Sequence, residues 1–71
     1  MKNIEELVLK YALKNAWDYE GKVNANVILG AVLKEDSELK KFVPVIRETI
    51  EKISKEVAGL KRNEIEDLLR R

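Results

Sequence analysis

Lys52-Ile53-Ser54-Lys55 sets two lysines and a hydroxyl within four residues. Such a grouping grips phosphate when it lies in a flexible loop beside a nucleotide-binding sheet. Here Ile53 falls on the inward stripe of a strong helix, and the chain gives no strand signal, so the match is fortuitous. Glu48, Glu51, Glu56, Glu64, Glu66 and Asp67 offer carboxylates. Glu48 with Lys52 and Glu51 with Lys55 stand at i,i+4 in the favourable order, which reads as a solvated ion-pair face. Nothing in their spacing builds an oxygen cage for a metal. The chain has no histidine and no cysteine. That removes the usual general base, the commonest zinc ligands and any disulfide, and it excludes a Ser-His-Asp or Cys-His apparatus within these residues. The expected catalytic, cofactor-binding and metal-binding residues are therefore none.

The cations are better placed for binding than for catalysis. Lys10, Lys14, Lys22, Lys40, Lys41 and Arg47 could contact phosphates, or could simply keep the chain soluble. The chain carries 14 basic and 13 acidic residues, for a formal net charge of +1, which is not the profile of an autonomous nucleic-acid binder. Trp17 and Tyr19 flank a loop, where they could stack on bases, anchor a partner or close a small core. Charged residues make up 38% of the sequence and glutamine is absent, a composition that leans towards a thermophilic source.

The elements that position these residues are helices. Asn3 caps a first helix, Ile4 to Trp17, with Glu6 completing a capping-box pattern. Its inward stripe is Ile4, Leu7, Val8, Tyr11, Ala12 and Asn15/Ala16. Leu9, Leu13 and Trp17 form a second apolar row. Asn15 lies on the apolar stripe and reads as an organiser of the loop at 18–22, whose backbone is the expected partner of its amide and where Gly21 is expected at positive φ. Asn24 caps a second helix, Ala25 to Leu33, facing inward through Ile28, Leu29, Val32 and Leu33. Gly30 within it is expected to allow close approach of another helix. Leu39, Val43, Ile46, Ile50, Ile53, Val57 and Leu60 follow 4-3 spacing, the strongest periodicity in the chain. Because the stripe keeps its phase across Pro44, one nearly continuous helix with a kink is expected, the alternative being a short helix before one that starts at Pro44. Gly59 and Leu60 read as a Schellman-like stop, and Asn63 with Glu66 as the cap of a short fourth helix. The expected fold is all-α: one small helical domain over residues 1–71, with three helices and a short fourth. No apolar run approaches the length of a membrane span, and the start has no signal-peptide core, so a cytoplasmic location is expected.

Lys10 to Ala16 (KYALKNA), Gly21 to Leu33 (GKVNANVILGAVL) and Ser37 to Lys40 (SELK) together resemble the N-terminal helical extension of archaeal-type glutamyl-tRNA synthetases. The long Val/Ile-rich helix ending near Gly59-Leu60 is similar too. The resemblance covers most of the chain. It implies a domain appended ahead of the catalytic domain of a class I enzyme that attaches glutamate to tRNA using ATP and Mg²⁺. It also implies that the catalytic signature lies elsewhere, so no catalytic or ATP-binding residue is carried onto this sequence.

Two accessory roles follow. As a docking module, the domain would join the catalytic domain or another translation protein, using Leu9, Leu13, Trp17 and Phe42 outside the main stripe. As a tRNA-binding appendage, it would use the six cations named above. The near-zero net charge favours docking. A free-standing helical interaction protein unrelated to synthetases is the third reading.

Overall fold

Asn3 opens the first helix as its spacing predicts. Its side-chain oxygen accepts from the backbone N–H groups of Glu5 (2.9 Å) and Glu6 (3.4 Å), which otherwise have no intrahelical partner. The computed structural model of the chain describes residues 3–19 and 22–70, so Gly21 and its expected positive φ lie outside the described residues. The elements are α1 (Ile4–Asp18), α2 (Ala25–Glu35), a 3-10 helix (Ser37–Phe42), α3 (Val43–Ala58) and α4 (Arg62–Leu69). Among the described residues there is no strand, and the all-α expectation holds. No helix there is long and apolar enough to cross a membrane.

The central element is α1, which packs against α2, α3 and α4. Its Leu7, Val8, Ala12, Leu13 and Ala16 meet Ile28 and Val32 of α2, Leu39 of the 3-10 helix, Ile46, Ile50, Ile53 and Val57 of α3, and Ile65 of α4 in one core. Contact on several sides explains why both apolar rows of α1 are used. It also corrects one expectation: Leu13 is only 3% exposed, so it belongs to the core and offers nothing to a docking partner.

Pro44 resolves in favour of the second alternative. The chain runs as a 3-10 helix to Phe42, and α3 then begins at Val43 with proline in its first turn. A proline nitrogen has no hydrogen to give to the Lys40 carbonyl, and its ring crowds that position, so a continuous α-helix is blocked. In the first turn the missing donor costs nothing. The apolar phase survives because Leu39, Ile46, Ile50, Ile53 and Val57 all still face inward, although the hydrogen bonding changes. A six-residue 3-10 run is longer than usual. Asp36 supports its start by accepting from Glu38 N–H at 3.1 Å.

Three further expectations are corrected. Gly30 is exposed, and a Cβ built there would meet nothing within 4 Å. At 3.6 residues per turn it stands about 200° round from Ile28, on the outer face, so no helix of this domain approaches it. Gly59 ends α3 at φ −87°, in the right-handed region, and Leu60 N–H bonds Val57 C=O at 3.0 Å, a 3-10 turn in place of a Schellman stop. Finally, α4 starts one residue before Asn63. Its entry is fixed by Glu64, whose carboxylate accepts from Lys61 N–H at 3.1 Å, so Asn63 is a helical residue and not a cap.

Candidate docking surface

The junction of α1 and α2 is built around Asn15. This side chain is buried, and its Oδ1 accepts from the backbone N–H of Asn24 at 2.7 Å. Asn24 in turn caps α2, accepting from Asn26 N–H (3.0 Å) and Val27 N–H (3.4 Å). One buried amide thus fixes where the second helix begins. The organising role read from the sequence holds, but the partner is the Asn24 N–H at the cap of α2 and not the backbone of residues 18–22. At the other end of α2, Glu35 accepts from the Tyr11 hydroxyl at 2.6 Å and lies 3.6 Å from Lys10 Nζ. This hydrogen bond to the carboxylate, with burial and the negative charge adding to it, raises the Tyr11 pKa above the ordinary tyrosine value.

Lys10, Lys14, Lys22, Lys40, Lys41 and Arg47 are all exposed. They stand on α1, the loop before α2, the 3-10 helix and α3. Lys10 is partly engaged: its ammonium faces Glu35 and lies 5.3 Å from the Tyr11 ring centre. The apolar candidates separate. Leu9 and Phe42 are each 37% exposed, whereas Leu13 is covered. Trp17 is half-buried against the core, and the Arg62 guanidinium stacks 4.2 Å from its ring centre. That contact ties the start of α4 to the end of α1.

Val45 was missed from sequence. It is 49% exposed on α3, three residues after Phe42. Two open hollows between α1 and α3 adjoin through Glu5, Thr49, Lys52 and Glu56 and together make a groove: one takes in Leu9, Ile53 and Glu6, the other Val45, Glu48, Glu51 and Lys55. Val45 sits one position off the inward 4-3 stripe, and that offset was the available signal. Lys55 pairs with Glu51 at 3.9 Å. The expected Glu48–Lys52 pair does not form, and among the described residues Glu5, Glu6, Glu48 and Glu56 make no ion pair. No group of three or more His, Cys, Asp or Glu side chains among the described residues is placed to hold a metal ion.

Fold and surface together define a small helical domain in which a sealed core supports an open apolar groove with an acidic rim. Comparison with known proteins gives its relatives. The chain is 43% identical over 99% of its length to a glutamate–tRNA ligase of Thermococcus kodakarensis. It is 38% identical over 86% of its length to that of Methanothermobacter marburgensis, and 34% over 94% to that of Methanopyrus kandleri. It is thus related to a region of the archaeal glutamate–tRNA ligases, and it spans about 12% of the length of these curated relatives. No family model matches the chain, and no solved structure matches it.

Proposed function

We propose that this domain is a non-catalytic accessory module of a cytoplasmic glutamate–tRNA ligase, and that it docks on protein, the remainder of the ligase being the first partner. ATP and Mg²⁺, which the family resemblance implies for the parent reaction, would be held outside this segment. The observation that carries the reading is the exposure of Leu9, Phe42 and Val45 beside a core already complete without them. Leu9 and Val45 line adjoining hollows between α1 and α3, and exposed apolar side chains so placed favour a protein partner, which removes them from water. The weak net charge points the same way, since a phosphate-binding role rests on a positive field.

The test is sedimentation of the chain with the Thermococcus kodakarensis ligase lacking its matching residues and, separately, with tRNA. Docking predicts co-sedimentation with the protein and little with tRNA at physiological salt. Binding to tRNA alone, steeply weakened by salt, would replace docking with phosphate contacts from the six exposed cations.

A further inference from the structure

The groove between α1 and α3 has a chemistry that specifies its occupant. Its apolar floor is Leu9, Val45 and the nearly buried Ile53, with Thr49 between them. Its rim is acidic. Glu5, Glu6, Glu48 and Glu56 stand there without an ion-pair partner among the described residues, opposed by Lys52 alone once Lys55 is paired with Glu51. Carboxylates lining one groove repel one another weakly through solvent, and Glu5 and Glu6 are also favoured there as acids of the first turn of α1. A partner bearing positive charge would remove the repulsion on binding. From Val45 to Glu56 the groove follows α3 for about 17 Å, the length of roughly three helical turns.

We propose that this groove receives a basic amphipathic helix of the protein partner. Apolar residues at i and i+3 or i+4 would cover Leu9 and Val45, and flanking Lys or Arg would face Glu5, Glu6, Glu48 and Glu56. Helix-in-groove recognition works in this way, with apolar anchors giving affinity and rim charges fixing partner choice. The inference rests on the docking reading above and names the face and the chemistry of what docks.

The experiment uses fluorescently labelled three-turn helical peptides and anisotropy. One peptide carries two leucines flanked by Lys and Arg, and a second replaces those cations with Glu. Each is titrated against the chain and against a Glu48→Lys/Glu56→Lys variant. Both substituted positions are exposed, and circular dichroism checks that the variant folds. The expected result is binding of the basic peptide, no binding of the acidic one, and affinity about tenfold weaker in the variant at low salt, the difference shrinking as salt is added. Equal binding of both peptides, or undiminished binding by the variant, overturns the proposal. So does concentration-dependent self-association blocked by Val45→Asp, which would put a second copy in the groove. If the basic peptide fails while the truncated ligase still co-sediments, this inference falls and docking stands. If neither binds, both fall.

Discussion

Replacing Asn15 by alanine should unseat the start of α2. The wild-type amide is buried and accepts from Asn24 N–H at 2.7 Å. Its loss leaves that donor without its protein acceptor, which costs about 1–3 kcal/mol when water cannot substitute. Asn24 is exposed, so water reaches the site in part and a loss of about 1.5 kcal/mol is expected. A domain this small has about 3–5 kcal/mol in total, so the change takes about 30–50% of its stability. For a chain of this length that lowers Tm by about 6–12 °C. Thermal melting by circular dichroism reads the shift, and hydrogen exchange should show the Asn24 amide losing its protection. Asn15→Leu separates hydrogen bond from cavity: it restores volume without an acceptor and should also be destabilised. An Asn15→Leu chain as stable as wild type, or an Asn15→Ala shift below about 2 °C, would refute the argument.

Gly30→Ala should raise stability by about 1 kcal/mol in denaturant unfolding, because the added methyl enters open space and the helix gains a better former. Tyr11→Phe should cost about 1 kcal/mol at neutral pH by removing the hydrogen bond to Glu35. Since Tyr11 has a raised pKa in the folded state, its contribution is complete below about pH 10 and is lost as pH climbs through the raised value. Unfolding curves taken across alkaline pH should therefore converge for wild type and Tyr11→Phe, and parallel curves would contradict the assignment. Arg62→Ala should loosen α4 at a cost of about 0.5–1 kcal/mol and change the emission of Trp17, the single tryptophan.

The features that were legible in the sequence are those set by short-range rules. Asn3 and Asn24 announce their helices because a side-chain oxygen can satisfy donors two and three residues on. Asn15 stood out as a polar residue on an apolar stripe, and burial demanded a partner for it. Periodicity chose Ile46, Ile50, Ile53 and Val57 of α3 correctly but also Val43, which stays outside the core, and it could not distinguish an α-helix from a 3-10 segment that keeps the same phase through Pro44. Gly30 was read by residue type when its angle on the helix already put it outside. The fate of the second row on α1 depends on which neighbours pack where. Trp17 is partly covered by Arg62 and Leu13 is sealed in the core, while Leu9 stays open, and no local rule contains that difference. The acidic rim is likewise a product of two helices meeting, visible only once α1 and α3 are side by side, whereas Val45 was legible from its place off the α3 stripe.

The central claim is that this domain binds protein through the face shared by α1 and α3. Methyl NMR of Leu9, Val45, Thr49 and Ile53, with the truncated ligase and with tRNA as separate titrants, tests it most directly. The account predicts that the ligase shifts these four methyl signals first and leaves those of Ile28 and Val32, buried on the inner face of α2, unmoved. Perturbation by tRNA alone, concentrated at Lys10, Lys14, Lys22, Lys40, Lys41 and Arg47 with the groove methyls silent, would contradict it.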